Sequence, residues 1–580
     1  MISGADIAIQ TLVNNGVTTI FAYPGGYSMP LHQAMTRFRD KIRVILPRHE
    51  QGGGFAAQGY ARSTGKLGVC MATSGPGATN LITSIADAKL DSVPLLAITG
   101  QVTTDVIGSD GFQETPMTEV CRSITKHHYL VTDIADLPRI LTEAIFVATT
   151  GRPGPVLVDI PKNIQVMQCY PNYNVQMDLP GYSGKPPVAE PEAIEAVVAA
   201  IGRAKRPLFF IGGGTITGNA SAALMKLVEK TGIPVTTSMT GLSAFPRDHR
   251  LALGMIGMHG TVPANRAAAE CDLLIGCGIR FSDRVTGKVS EFAKSARLIQ
   301  IDIDPSEINK IKRTHLGIAA DLKEVLSAVD EQLGADFKGN NLDAWYEKID
   351  AWKRDFPLHY DENSPYILPE YAIETLWRAT KDSDAVITTG VGQHQMWTTQ
   401  YYHFNTPRSW LSSCGLGTMG FGLPAAIGAK VARPDAIVVD IDGDGSFQMN
   451  IQEMATCHTE SIPVKVMLLN NQHLGMVVQW EDRFHASNRA NTYLGCVTDP
   501  EAFGKGDGVS PKHRYPDYPT IAKGYGWDTL SVVKKEELPA AIDTMLKSDK
   551  PFLLDVQVPY FEHVLPMTPP GGTIADMILK

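Results

Sequence analysis

The chain has 580 residues, 44% of them hydrophobic and 19% charged. It is too long for one core, since single cores rarely exceed ~250–300 residues. A net charge of −9 and the absence of any basic run exclude nucleic acid or an anionic membrane as the main partner. Eight cysteines without CxxC spacing set aside a zinc site or disulfide framework and favour a reducing compartment. No signal or transit peptide is visible at Met1-Ile2-Ser3-Gly4-Ala5-Asp6, and no apolar run approaches the ~18–20 residues of a spanning helix. The expectation is a cytoplasmic enzyme.

Strand-like runs alternate with helical patterns, which predicts an α/β protein of doubly wound parallel sheets. Two stretches break the rhythm, 170–191 and 336–369, and read as linkers, although Trp345, Tyr346 and Trp352 suggest that the second packs on a domain. They divide the chain into domains at 1–168, 190–335 and 366–560, with a C-terminal tail at 561–580.

The first domain places Tyr23-Pro24-Gly25-Gly26 after an apolar strand, where glycines allow close backbone approach to a ligand or a plain turn. Val44-Ile45-Leu46 leads into Arg48-His49-Glu50 and a helix of small residues. A glutamate so placed is expected to be partly desolvated and suited to exchanging a proton with a heterocyclic nitrogen; the alternative is simple helix capping. Thr73 to Asn80 is rich in glycine and small hydroxyls, and Gly108 to Thr115 is a polar loop holding one exposed aromatic, Phe112. Arg152, between Gly and Pro, suits an anion or an ordinary loop.

The second domain alternates apolar runs with glycine turns at Gly212-Gly213-Gly214 and Gly278, and ends a strand at Asp302, a residue suited to ribose hydroxyls. This is a nucleotide-type sheet without a GxGxxG in its usual setting. The third domain carries Gly390-Val391-Gly392-Gln393-His394, a glycine loop from Gly415 to Gly420, and the stretch from Asp440 to Asn471. There, an apolar run ends in Asp442-Gly443-Asp444-Gly445, with Ser446 expected to cap the next helix, and a second run ends in Asn470-Asn471. An Asp and an Asn at two strand ends are hard oxygen ligands suited to magnesium and a diphosphate.

The 24 residues between Gly-Asp-Gly and Asn-Asn resemble the thiamine diphosphate signature. With RHEQG, TSGPGATN, FQET, GRPGPVLVDIPK, RFSDRVTGK, GLGTMGFGLPAAIGA and NNQHLGMVVQW, the chain resembles the acetohydroxyacid synthase family across all three domains. The resemblance implies that Asp444, Asn471 and the main-chain oxygen of His473 ligate Mg2+. Glu50 would hydrogen-bond the aminopyrimidine, Met419 would hold the cofactor bent, and Val391, Gln393 and His394 would contact pyrimidine and diphosphate. Pro24, Gly392, Gly417, Gly443, Gly445, Ser446, Gly475 and Met476 would complete that thiamine diphosphate site, with Gly26 and Gln113 beside Glu50 and Met419 at the reacting centre. FAD would lie on Arg152, Gly213, Gly214, Ser238, Met239, Thr240, Met258, His259, Gly278, Arg280, Asp283, Arg284, Val285, Asp302, Ile303 and Asp321. In this family the flavin is needed structurally and performs no net redox chemistry.

The implied activity is decarboxylation of pyruvate and transfer of the two-carbon unit to pyruvate or 2-ketobutyrate, in branched-chain amino acid synthesis. Arg284 would read the second carboxylate, Trp480 would favour 2-ketobutyrate, and Phe112, Gln113, Lys162 and Met476 would line the same pocket. The family places its cofactor between two chains, implying a homodimer or homotetramer; a small regulatory subunit is left open. A pyruvate oxidase with a redox-active flavin, another thiamine diphosphate carboligase or decarboxylase, and a degenerate homologue are the alternatives. The chain departs from the family at Tyr27, at Ser282, at Gly52-Gly53-Gly54 with Gln58, at Pro116, and in an extra segment, 504–513. These departures bear on acceptor choice.

Overall fold

The computed structural model describes residues 1–495 and 515–580; the extra segment at 504–513 lies outside them. Three six-stranded parallel sheets, each flanked by helices, form the three α/β domains. Strands such as Leu95–Gln101 and Lys465–Asn470 are buried along their whole length. That is why they read as continuous apolar runs, the pattern of parallel strands covered on both faces.

Numbered in chain order within each domain, the first and third sheets share the strand order 2-1-3-4-6-5, and the middle sheet runs 3-2-1-4-5-6. In open α/β sheets the crevice at the point where strand order reverses is where ligands bind. In the first domain that point lies between Thr19–Ala22 and Gly68–Ala72. In the third it lies between Ala385–Thr389 and Ile437–Gly443, and in the middle domain between Pro207–Ile211 and Leu273–Cys277. The glycine turns singled out in the sequence follow these six strands.

The first and third domains share one apolar core, running from Ile45, Ala56 and Leu81 to Leu423, Val438 and Leu468. At its centre the helix Glu50–Thr64 crosses the helix Gly422–Ala432. A Cβ at Gly59 would collide with the carbonyl of Ala425, and one at Gly428 with the carbonyl of Ala56. Glycine therefore permits a backbone-to-backbone approach that no other residue allows.

The 336–369 stretch is only partly a linker. Asp343–Asp355 is a helix whose Trp345, Ile349 and Trp352 are buried in the middle domain, and Trp345 Nε1 donates to Pro207 O at 3.1 Å. The spacing i, i+4, i+7 is that of a helix with one apolar face. The tail ties domains together: Val564 N donates to Gln479 Oε1 at 2.8 Å and Thr568 N donates to Met258 O at 2.7 Å. No helix of the described residues is long and apolar enough to cross a membrane.

Candidate functional site

Asp444 opens a short helix directly after the strand Ile437–Gly443, and Asn471 follows the neighbouring strand Lys465–Asn470. The two strands pair in register from Val439–Lys465 to Gly443–Leu469, so both side chains emerge at the same sheet edge. Both are buried. Burial pushes the Asp444 carboxyl up to about 7, partly offset by the hydroxyl of Tyr515, which donates to it. Tyr518 donates to the Asp444 main-chain oxygen at 3.3 Å. Asn471 Oδ1 accepts from His473 N at 3.0 Å, and His473 stacks on Tyr560 with ring centroids 4.4 Å apart.

Ser446 does not cap the helix. Gly443 takes that position without a side-chain bond, and Ser446, inside the short helix Asp444–Phe447, accepts Gly420 N at 3.0 Å. A hydroxyl three residues past the cap faces the adjacent loop instead of its own helix start. The site is crowded with backbone: a Cβ at Gly390 would strike Ser446 and Asp442, and one at Gly475 would strike Gln393.

These residues fit a bound metal–diphosphate. Gln393 Oε1, His394 Nε2 and Asp442 Oδ2 are buried without hydrogen-bond partners, although His394 Nε2 stands 3.1 Å from Asp442 Oδ1. Buried polar atoms need partners, and three converging without them fit a site that takes a polar ligand. Among the described residues no group of three or more His, Cys, Asp or Glu could hold a metal. A hard cation here would thus rely on one carboxylate, an amide, a main-chain oxygen and the ligand's own oxygens, a donor set that suits Mg2+.

In the first domain Glu50 is the first residue of the helix Glu50–Thr64 and is half-buried. Its Oε2 accepts from Asn80 Nδ2 at 3.0 Å, and a Cβ at Gly77 would come within 3.1 Å of Oε1. Thr73 bridges this region to the Pro24–Gly26 turn by accepting Tyr27 N at 3.1 Å. Lys162 lies over the Tyr27 ring at 5.5 Å, and Phe112 is 79% exposed, next to Gln113 with a φ of +61°. No hydrogen bond among the described residues joins Glu50 to Met419, Asp444 or Asn471.

A cavity of about 630 Å³ occupies the switch point of the middle domain and extends to the third. Gly213, Gly214, Ser238, Met239, Thr240, Met258, His259, Gly278, Arg280, Asp283, Arg284, Val285, Asp302 and Ile303 line it, with Arg152 from the first domain. At the far end it reaches Val391, Gly392, Gly417, Met476 and Trp480. Burial raises Asp302 to about 6 and lowers His259 to about 4, so His259 is neutral at pH 7. The volume, the glycine walls and the acid at a strand end fit a dinucleotide.

Not every expected residue reaches this cavity. Asp321 caps the helix Leu322–Leu333, accepting Lys323 N and Glu324 N. The Arg152 fork is engaged by Ser92, Asp304 and Glu307, at 2.9, 3.2 and 2.6 Å. Glu50, Gly26, Gln113, Phe112, Lys162 and Met419 lie outside the lining, as do Asp444 and Asn471. Sequence reasoning missed Leu90, Asp91 and Leu416, which do line it, and Tyr515, which meets Asp444. Leu416 sits within the GLGTMGFGLPAAIGA motif, whereas Leu90, Asp91 and Tyr515 lie outside the quoted motifs.

A paired Asp and Asn at adjacent strand ends, in a chain whose first domain presents a glutamate at a helix N-terminus, is the arrangement of a thiamine diphosphate enzyme. The profiles of such enzymes match all three domains: the N-terminal TPP binding domain at 2–120, the central domain at 194–329, and the C-terminal TPP binding domain at 390–556. Within that class the chain belongs to the acetolactate synthase family. It is 54% identical to acetolactate synthase 1, chloroplastic, of Oryza sativa subsp. japonica, over 99% of this chain and 88% of the relative. It is also 54% identical to acetolactate synthase, chloroplastic, of Arabidopsis thaliana, over 100% of this chain and 84% of the relative. For acetolactate synthase 2, chloroplastic, of Nicotiana tabacum the identity is 52%, over 100% and 85%.

The expected cytoplasmic location is overturned as an inference from the sequence, since all three relatives are named as chloroplastic. An acidic catalytic body without a CxxC framework has the same composition in either compartment, so composition could not separate them.

Proposed function

We propose that the chain decarboxylates pyruvate and transfers the two-carbon unit to a second 2-ketoacid, giving 2-acetolactate or 2-aceto-2-hydroxybutyrate. The observation that carries this reading is the buried Asp444–Asn471 pair beside Gln393 Oε1, His394 Nε2 and Asp442 Oδ2, three buried atoms without hydrogen-bond partners. The cofactors are thiamine diphosphate, Mg2+ and FAD.

Asp444, Asn471 and the His473 main-chain oxygen would hold Mg2+, and Gln393 and His394 would reach the diphosphate. Thiamine diphosphate, when bound, supplies the electron sink that makes loss of carbon dioxide from a 2-ketoacid feasible. Glu50 holds and moves a proton at the pyrimidine nitrogen, with Asn80 fixing its carboxylate. Met419 stands on the loop between Gly417 and Gly420 and would support the bound thiamine diphosphate from that side. Arg284 is largely exposed, with Nε 3.9 Å from Asp283 Oδ2 and Nη1 4.0 Å from Met258 Sδ; its planar charged fork would take the acceptor's carboxylate. Trp480, at the cavity wall, offers apolar contact to the extra methyl of 2-ketobutyrate. Phe112, Gln113 and Lys162 supply the opposite wall from a second copy, so the working unit is at least a dimer.

FAD occupies the middle cavity as a structural tenant. Identification of the products from pyruvate alone, and from pyruvate with 2-ketobutyrate, tests the proposal. Acetohydroxyacids with no stoichiometric flavin bleaching are expected; acetyl phosphate or acetate with matching flavin reduction would overturn it.

A further inference from the structure

The seam between the first and third domains does more than bury apolar surface. At one end, Glu453 of the third domain accepts Arg48 N and His49 N, each at 3.0 Å. These are the two residues before Glu50. Thr456 Oγ1 donates to the second oxygen at 2.7 Å, and the carboxylate is buried against Gly52, where a Cβ would strike it. The turn that presents Glu50 is therefore capped from another domain.

At the other end the roles reverse. Asp91 of the first domain accepts Cys414 N at 2.9 Å and Gly415 N at 2.8 Å. Asp87 accepts the hydroxyl of Ser413, which in turn accepts Thr418 N at 2.8 Å. Arg62 joins both carboxylates, at 3.2 and 3.0 Å, and donates to Ser412 O at 2.8 Å. The loop so held, from Ser412 to Thr418, leads directly into Met419. A buried carboxylate that accepts several amides makes bonds about twice as strong as neutral ones. Between the two ends lies the glycine-tight helix crossing, which leaves no room to slide.

We infer that Glu453, Asp87 and Asp91 are reciprocal positioning residues: each domain uses carboxylates to fix the loop on which the other carries its thiamine-facing residue. Glu453 acts through the Arg48-His49 turn on Glu50, and Asp87 and Asp91 act through the Ser412–Thr418 loop on Met419. The inference rests on the thiamine reading given above. Asp91 also borders the middle cavity, but none of the three carboxylates belongs to the proposed thiamine site, so thiamine chemistry depends on them only through geometry. A misplacement of about 1 Å can cost about 100-fold in rate.

The test uses the full-length holoenzyme and two small substitutions, Glu453→Gln and Ser413→Ala. Glu453→Gln removes the charge and puts an NH2 where the second oxygen accepts Arg48 N at 3.2 Å and Thr456 Oγ1 at 2.7 Å; Ser413→Ala breaks the path from Asp87 to Thr418 N. Three quantities are read: the melting temperature, amide hydrogen exchange in the unloaded chain, and deuterium exchange of the thiazolium C2 proton in the loaded one. The expected result is faster amide exchange confined to 46–50 in Glu453→Gln and to 412–420 in Ser413→Ala. C2 exchange is expected to slow about 10–100-fold in each, with thiamine diphosphate affinity changed by less than about threefold. A folded variant with native C2 exchange, or with amide exchange raised uniformly, would overturn the inference. If one variant does not fold, the other decides; if neither folds, the seam is a stability element and the positioning role is refuted. Wild-type C2 exchange and carbon dioxide release separate this outcome from a failure of the thiamine reading, because both would then be absent from the parent enzyme.

Discussion

The first and third domains are built on the same strand order, 2-1-3-4-6-5, and the middle one on 3-2-1-4-5-6, yet the sharper contrast is in what each switch point holds. The middle domain closes a cavity of about 630 Å³ largely from its own walls, with help from Arg152, Val391 and Trp480. The end domains instead present two partial sites. One has a glutamate and a glycine turn, and the other has oxygen ligands and a glycine loop. Similar sheets can thus be specialised by a handful of residues at strand ends, while a nucleotide-type sheet completes its site in place. On the proposed assignment, one chain would suffice to retain flavin, whereas thiamine chemistry would require the two kinds of end domain to meet.

The strongest way to break this contrast is Asp444→Ala. It should abolish thiamine diphosphate retention and turnover while leaving bound flavin absorbance intact; loss of both together would show that the two sites are not separately built. Glu50→Gln is expected to lower turnover by about 10²–10⁴-fold at saturating cofactor, with thiamine diphosphate still bound in equilibrium dialysis. Unchanged turnover would remove Glu50 from proton transfer. In the reverse direction, Asp302→Ala should weaken flavin binding by about 10–100-fold, the value of a charge-assisted hydrogen bond to a ribose, as read by flavin fluorescence titration. Thiamine diphosphate affinity should not move in that variant. The smallest effect is expected from Trp480→Leu, where the preference for 2-ketobutyrate over pyruvate should fall by about tenfold in a competition assay, since one methylene in an apolar pocket is worth ~1–3 kcal/mol.

Much of this was legible in the sequence because strand ends announce themselves. An apolar run followed by glycines, as at Phe21 to Gly26 or Val438 to Gly443, places a ligand-facing turn without knowledge of the sheet order. Asp444 sits in such a turn, whereas Asn471 and Asp302 end apolar runs with no adjoining glycine and stand out by their oxygen side chains. What escaped are contacts made across the chain. Glu453 meets residues 405 and 404 positions earlier, and Cys414 N reaches Asp91 across 323. No local pattern encodes such pairs. Tyr515 escaped for the same reason, and the cap at Asp444 was misplaced by three residues because Ser446, a good capping residue, bonds to Gly420 instead. The helix Asp343–Asp355 was partly hidden by its high charge, although its tryptophans follow a helical period.

The crossing of Glu50–Thr64 over Gly422–Ala432 bears on how substrate gets in. Two backbones in direct contact at Gly59 and Gly428 leave no side chains whose rotation could open a gap. Any breathing that admits a ketoacid must therefore hinge elsewhere, on the faces where Phe112, Met449 and Val477 lie exposed. The same tightness sets a limit on natural variation: at Gly59 and Gly428 a single added methyl would wedge the domains apart, so drift in this protein is steered away from the seam and towards the rim.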